Sequence, residues 1–357
     1  MTSVGGSETV CIAVLKTLVQ DGHSVELLSS KIDKQLVDAH WDDVFSRLHL
    51  TRIAAPANRP FNTYPRYLIL FKELLKLSPR KVDFLILTQE LLPGITKIKA
   101  RTTVLYVHFP YLSGIEDRGS SFVRDGYLVP LRQVIKSQLK HVNMILCNSK
   151  FTKNAILETW GNNNIPEPKV VYPAPLERPA SNMGWDNREN RVLYVARFAP
   201  FKRHELLRDL ARRMPHMEFV SAGSYSPAHK EYVRSLMINH PKNYSLRFNV
   251  SQRDLMELYA TSRVYVHLAE AEHFGIAPVE AMASGCVTFA HDSGGPREFV
   301  PPYLRWREPS ELQSKLEEVT TSKDSWDKWN NVCERSSEPF SFENFSGDLL
   351  DALSAQS

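Results

Sequence analysis

Eight short apolar runs recur along the chain, each followed by a longer stretch of helical periodicity. They are "HSVELLSS", "VDFLILT", "TVLYVHF", "NMILCNS", "RVLYVARF", "MEFVSAG", "VYVHLAE" and "CVTFAH". Runs this short, apolar on both alternating faces and rich in β-branched residues, suit strands covered by helices on both sides, which means parallel sheets of the α/β class. At 357 residues and 43% hydrophobic content the chain has enough apolar surface for two such cores. The polar, turn-rich stretch "RPASNMGWDNREN" at 178–190 precedes a fresh strand and is read as the link between two domains. In parallel α/β sheets ligands gather at the carboxyl ends of strands, so that is where the informative residues are sought.

Composition excludes several classes. No run approaches the ~20 apolar residues of a membrane-spanning helix, and the N-terminus lacks the basic and apolar regions of a signal peptide, so a cytoplasmic setting is expected. Cys11, Cys147, Cys286 and Cys333 are far apart and unpaired in sequence, which indicates neither a zinc cage nor a disulfide framework. The balance of 44 basic against 40 acidic residues gives no argument for nucleic acid.

One stretch, "EHFGIAPVEAMASGC" at 272–286, places Glu272 eight positions before Glu280. The run before it reads as a strand ending near Ala269. "PVEAMASG" reads as a helix with Pro278 at its first position and Gly285 as its stop. The intervening turn then aims backbone N–H groups out of a helix N-terminus, an environment that attracts phosphate. Gly275 lets a ligand approach the backbone, and Glu280 falls in the first helical turn. Spacing alone fits two solvated surface carboxylates equally well.

The stretch "YVARFAPFKRHELL" repeats this strand–loop–helix order, with Arg197 at a strand end and Lys202 at the start of the next helix. Two cations facing a helix N-terminus suit a diphosphate, although two surface bases on a loop are the simpler alternative. His108 closes the apolar strand of "LYVHFPYLSG", where a satisfied core histidine is commoner than a functional one. Gly5 and Gly6 open a helix near the start of the chain, a weak signal for another ligand-facing turn.

Taken together, "GGSE", "YVHFP", "ILCNSKFTKNAI", "VVYPAPLE", "YVARFAPFK", "AEHFGIAPVEAMASGC", "DSGGPREFV" and "FSFENF" resemble the retaining glycosyltransferases of family 4 over nearly the whole chain. Within that family the motifs are most similar to the GDP-mannose-dependent α-1,2-mannosyltransferases that extend lipid-linked oligosaccharide. The resemblance implies the GT-B fold: two facing Rossmann-like domains with parallel sheets and a cleft between them. It implies an acceptor-side domain over 1–180, a nucleotide-sugar domain over 181–335, and a helical segment over 336–357 that packs back on the first domain. Glu280 then corresponds to the residue holding the nucleotide ribose and Glu272 to the one engaging the transferred sugar. Arg197 and Lys202 correspond to the pair that neutralises the diphosphate, and the backbone of Phe274, Gly275, Ile276 and Ala277 meets the sugar and β-phosphate. His108 corresponds to a histidine that reaches the reacting region of the donor sugar, and Gly5 and Gly6 to a loop near phosphate and acceptor.

The implied reaction is metal-independent, without a cofactor, the sugar nucleotide being the substrate. Leaving-group charge would be balanced by N–H groups and cations. Implied partners are a nucleotide-sugar donor and a glycan or lipid-linked acceptor. Arg132, Lys136 and Lys140 at spacing four, with Leu128, Leu131, Ile135 and Leu139 near another face, fit a basic helix lying on an anionic membrane on the cytosolic side, or equally a core-packed helix with a solvated face. The segment "YPRYLILFKELLKL" is similarly apolar with interspersed bases. A UDP-sugar donor and an inactive nucleotide-binding relative stand as alternatives. The family carries a strand ahead of its glycine loop where this sequence has only Met1 to Val4, so a start further upstream or a compromised first domain is expected.

Overall fold

The protein was analysed as a computed structural model, which describes residues 5–29, 42–53, 63–77, 81–88, 94–110, 129–130, 133–134, 136–176 and 183–355. The chain divides into two compact units. One comprises residues 1–172 with Phe345–Ser357, and the other Pro173–Asn344.

The first unit opens on helix α1 (Gly6–Gln20), with extended Gly5 as its N-cap, and buries Val10, Ala13, Val14 and Thr17 along one side. Strands β1 (Glu26–Ser29) and β2 (His49–Arg52) pair in parallel, and helix α2 (Asp42–Ser46) lies between them in sequence. Helix α3 (Thr63–Lys76) leads to a second parallel sheet in the order β3 (Lys81–Leu87), β4 (Lys99–Val107), β5 (Met144–Cys147), β6 (Lys169–Val170). β4 is interior and its run Val104–Val107 is buried, as a strand covered on both faces should be. β3 is an edge strand among the described residues, and its first three residues are exposed. Around Leu105, Ile145, Ile156 and Trp160 the core also takes in helix α4 (Lys150–Trp160), capped by Ser149, whose hydroxyl accepts from Thr152 N–H.

The second unit holds a six-stranded, all-parallel sheet in the order β12 (Arg305–Trp306), β11 (Val287–His291), β10 (Ser262–His267), β7 (Glu189–Val195), β8 (Glu218–Gly223), β9 (Tyr244–Phe248). The chain winds outward from β7 to β9 through helices α5 (His204–Arg213) and α6 (Lys230–Met237). It then returns through α7 (Gln252–Thr261) to β10 and winds the other way through α8 (Ile276–Ala283). The strand order therefore reverses between β7 and β10. At such a switch point the loops leaving the two strands diverge to opposite faces and open a crevice at their carboxyl ends. Arg197 follows β7 and Glu272 follows β10, so the topology delivers both to that crevice.

Helices α9 (Pro309–Thr321), α10 (Lys323–Ser337) and α11 (Phe342–Ser354) close the chain. As Glu338-Pro339 predicts, α10 stops at Ser337 before the final helix begins.

Among the described residues no helix is long and apolar enough to cross a membrane. The expected basic helix is described only in part. Residues 129–130, 133–134 and 136–139 are helical, with Lys136 and Lys140 exposed and Leu139 buried, while Leu128, Leu131, Arg132 and Ile135 lie outside the described residues. The strand expected ahead of Gly5 also falls outside them.

Candidate functional site

The cation loop after β7 is held from beneath. Arg197 and Phe198 leave the strand, Pro200–Lys202 form a single 3₁₀ turn, and Arg203 adopts a left-handed φ of 58° before α5 begins at His204. The buried Tyr194 hydroxyl donates to Lys202 O at 2.6 Å. The fully buried His204 ring lies 3.1 Å from Arg197 O through Nε2 and 3.1 Å from Ser221 Oγ through Nδ1. A carbonyl can only accept, so Nε2 carries the proton and Nδ1 accepts from the Ser221 hydroxyl. Burial pushes this imidazole down to about 4, which keeps it neutral. Phe198 stacks on the ring at 4.5 Å. Arg203, at its strained position, pairs with Glu270 and faces the Trp306 ring.

The two predicted cations differ in state. Arg197 is exposed, and the contact recorded for its guanidinium among the described residues is the face of the exposed Phe201 ring at 5.7 Å. Lys202 is mostly buried and its Nζ lies 2.6 Å from Glu272 Oε2. The same oxygen also receives Nε2 of the buried His267 at 3.0 Å. Burial alone would raise the Glu272 carboxyl, but Lys202 and the His267 hydrogen bond outweigh it and hold the group well below the usual carboxylate range. Among the described residues Glu272 Oε1 takes no hydrogen bond, so both contacts of the anchored carboxylate fall on its other oxygen.

Between the glutamates the backbone is as expected in kind but shifted in register. β10 ends at His267, two residues before Ala269. α8 starts at Ile276, with Gly275 at φ 96° as its N-cap, so Pro278 occupies the third helical position and not the first. Proline fits anywhere in the first turn because those N–H groups have no intrahelical acceptor, which is why the proline alone misplaced the start. Glu280 consequently lies in the second turn, correcting its expected place in the first. There the Tyr259 hydroxyl from α7 donates to its Oε2 at 3.0 Å. The helix closes as predicted at Gly285, where the Gly285 and Cys286 N–H groups return to Met282 O and Ala281 O.

The backbone N–H groups at 274–277 open this helix, and two supports fix them. Phe274 packs in an aromatic trio with Phe299 and Phe340, with centroids 5.2–5.5 Å apart. The loop after β11 closes over the turn: Gly295 N–H donates to Glu272 O at 2.7 Å and Ser293 Oγ accepts from Ala271 N–H at 2.8 Å. A Cβ on Gly294 would stand 2.3 Å from Glu272 O, and one on Gly295 2.3 Å from His273 O, so "SGGP" needs both glycines.

Arg197, Lys202, Glu272, Phe274, Gly275, Ile276, Ala277 and Glu280 thus lie at the carboxyl ends of adjacent strands in the second unit. His108, Gly5 and Gly6 belong to the first unit. His108 Nε2 donates to Thr88 O at 2.7 Å, and its own carbonyl accepts from Asn148 Nδ2 and Thr152 Oγ1, which fixes backbone and ring at the end of β4. At the start of α1, Gly5 is the extended N-cap, and the Glu8 carboxylate of the first turn lies 2.7 Å from where a Cβ on Gly5 would stand. Sequence reasoning missed His267, His204, Tyr194 and Tyr259. Of these only His267 carried a signal, a polar residue ending an otherwise apolar strand two positions before the glutamate-bearing loop. Among the described residues no group of three His, Cys, Asp or Glu side chains could hold a metal ion.

Comparison with known proteins extends this picture. The pattern of the family described as "Glycosyltransferase Family 4" matches residues 4–174, and that of "Glycosyl transferases group 1" matches 180–327. A "GDP-Man:Man(3)GlcNAc(2)-PP-Dol alpha-1,2-mannosyltransferase" of Dictyostelium discoideum is 25% identical over 306 residues, covering 72% of this chain and 60% of its own length. Its counterpart in Candida glabrata is 31% identical over 176 residues, covering 44% and 34%. This chain therefore spans roughly a third to three-fifths of these relatives' lengths. The crystal structure of Anabaena Alr3699/HepE in complex with UDP and glucose superposes with a TM-score of 0.76 at 14% identity, over 99% of this chain and 97% of that one. Sucrose-phosphate synthase from Thermosynechococcus elongatus gives 0.76 at 16%, over 99% and 95%. At such identity these structures establish the fold, which is GT-B, with two Rossmann-like halves built on parallel sheets.

Proposed function

The chain belongs to the family 4 glycosyltransferases, and from that premise we propose that it is a retaining hexosyltransferase that moves mannose from GDP-mannose to a glycan or lipid-linked acceptor. The observation that carries this reading is the pairing at the switch point. An exposed Arg197 stands without an ion pair among the described residues, and a carboxylate fixed through Oε2 keeps Oε1 for a sugar hydroxyl. Arg197, Lys202 and the N–H groups of Phe274 to Ala277 neutralise the departing diphosphate, and Glu272 faces the sugar on which positive charge grows. Glu280, oriented by Tyr259, holds the ribose. For the first unit, the family correspondence supports a role for His108 towards the sugar and for Gly5 and Gly6 towards phosphate and acceptor.

Mannose and GDP are favoured by the names of the relatives, which are GDP-mannose-dependent mannosyltransferases acting on a dolichol-linked glycan. A lipid-linked acceptor is consistent with a reaction at an anionic membrane surface on the cytosolic side, and the exposed Lys136 and Lys140 of the first unit support lipid contact there. A UDP-sugar donor is the second reading, supported by the UDP held in the Anabaena structures.

Binding of GDP, UDP, GDP-mannose, UDP-glucose and UDP-N-acetylglucosamine by thermal shift tests the site, with Glu280→Ala and Lys202→Ala as controls. Stabilisation by one nucleotide class, lost in both variants, supports the site and names the base. No shift with any of them overturns the donor reading. The anomeric configuration of the transferred sugar tests retention, and an inverted product would end the family mechanism.

A further inference from the structure

The two cation-capable groups on Glu272 share one oxygen, and only one of them faces the diphosphate in the reading above. Lys202 Nζ and His267 Nε2 both meet Oε2, at 2.6 and 3.0 Å. His267 is 3% exposed and ends β10, whereas Lys202 ends the 3₁₀ turn of the loop that also carries Arg197 and reaches Glu272 on a long unbranched side chain. A diphosphate at Arg197 competes with Glu272 for the same ammonium, because a flexible lysine follows the larger negative charge. Glu272 is then left as a largely buried carboxylate with its cation drawn away, an arrangement proteins avoid.

We propose that His267 is a positioning residue that takes a proton from solvent when the donor diphosphate draws Lys202 off, replacing the lysine as the counter-charge of Glu272. This rests on the donor reading above. The ring has a place for the second proton. Its Nδ1 lies 3.4 Å from the Tyr265 hydroxyl, which also lies 3.3 Å from Val195 O. With a neutral ring the hydroxyl hydrogen points to Nδ1. With a charged ring Nδ1–H donates to the phenol oxygen and the hydroxyl hydrogen turns to Val195 O. Either way every donor keeps an acceptor, so the proton is gained without breaking the network.

The groups that face the ring are consistent with this. Besides Glu272 and Lys202 they are the Tyr194 ring of β7, edge-on at 5.9 Å, and Tyr265 of its own strand. His273 acts on Glu272, and Glu280 and Cys286 act on Tyr265 from farther out. Burial and the carboxylates Glu272 and Glu280 push the Tyr265 phenol well up, so it stays a hydroxyl in both states. The consequence for transfer is that Glu272 remains ionised and oriented while Lys202 serves the leaving group. Protonating Glu272 itself would remove the negative charge that faces the sugar.

Two experiments decide it. In the first, no ligand is used: histidine-ring nitrogen NMR, with the His267 signals assigned by His267→Gln, follows its titration in the wild-type chain and in Lys202→Met, with Lys202→Gln as a second variant. Removing the ammonium imitates its departure, and the His267 midpoint should move upward; an unmoved midpoint overturns the proposal. In the second, calorimetry of GDP-mannose and UDP-glucose binding at one pH in buffers of different ionisation heat counts protons. These donors carry no phosphate that titrates near neutrality, so uptake belongs to the protein. Uptake by the wild-type chain, lost in His267→Gln, supports the proposal, and binding without uptake overturns it. If neither sugar nucleotide binds while the NMR midpoint moves, the donor reading fails and the His267–Lys202 coupling stands.

Discussion

Lys202 and Glu272 are joined through a single oxygen, Nζ to Oε2 at 2.6 Å, although seventy residues separate them in the chain. The contact links the loop leaving β7 to the loop leaving β10 across the point where the strand order reverses. In the proposed reaction one loop brings the positive charge a diphosphate needs and the other the negative charge a sugar cation needs, and in the structure the two charges pair with each other. On the proposed reading, replacing Lys202 by alanine removes a preorganised charge that serves the leaving group. Transfer should fall by about 10² to 10³-fold, the usual effect of deleting one donor to developing negative charge. Steady-state kcat/KM with the donor that binds would measure it, and a loss of less than about tenfold would show that Lys202 is not at the diphosphate.

The Tyr259 hydroxyl offers a milder test. It donates to Glu280 Oε2 at 3.0 Å from a fully buried ring. Tyr259→Phe keeps the ring and deletes one hydrogen bond, so nucleotide affinity should weaken about three- to tenfold through a less fixed Glu280. Calorimetric titration with the free nucleoside diphosphate reads this directly. Unchanged affinity would remove Glu280 from the ribose.

Much of this site was legible before the structure, for a physical reason. A strand that must end, a turn that must expose its N–H groups and a helix that must start impose residue types at fixed spacing, and Arg197, Lys202, Glu272 and Gly275 sit in that grammar. What spacing could not show is whatever closes through space. His267 looks like any residue ending a strand until its ring is placed against Glu272, and His204 looks like the first residue of a helix until it is found beneath Arg197 O. Helix phase was likewise underdetermined, since Pro278 allowed two starts and Gly275, with its left-handed backbone, selected the earlier one.

Gly294 shows the same limit and yields a prediction. Its φ of 70° and the 2.3 Å separation of a built Cβ from Glu272 O mean that an alanine must displace the turn that carries the glutamate. Gly294→Ala should lower stability by about 1–3 kcal/mol and weaken donor binding at the same time, because Gly295 N–H would lose its hold on Glu272 O. Gly161→Ala is the control, as nothing lies within 4 Å of a Cβ there. Thermal melts of the two variants side by side would check it, and equal melting temperatures would mean that the "SGGP" loop does not brace the site.

The neutral His204 beneath the cation loop makes the fold sensitive to acid in a predictable direction. Its ring is driven down to about 4 from an ordinary 6.5, with burial as the main cause. Between those two values the unfolded chain binds a proton that the folded one refuses, so stability rises with pH across that window. The contribution of this residue is complete above about pH 6.5 and is lost progressively as pH falls towards 4, by about 3 kcal/mol in all. Other groups titrate in the same range, so the quantity to measure is a difference. Denaturant unfolding of the wild-type chain and of His204→Gln, compared at pH 7 and pH 5, should show the variant less stable at the higher pH and the gap narrowing at the lower. A gap that stays constant would mean that His204 does not remain neutral in the folded protein. Arg197 O would then accept from an imidazolium, and the loop that carries both cations would rest on a third.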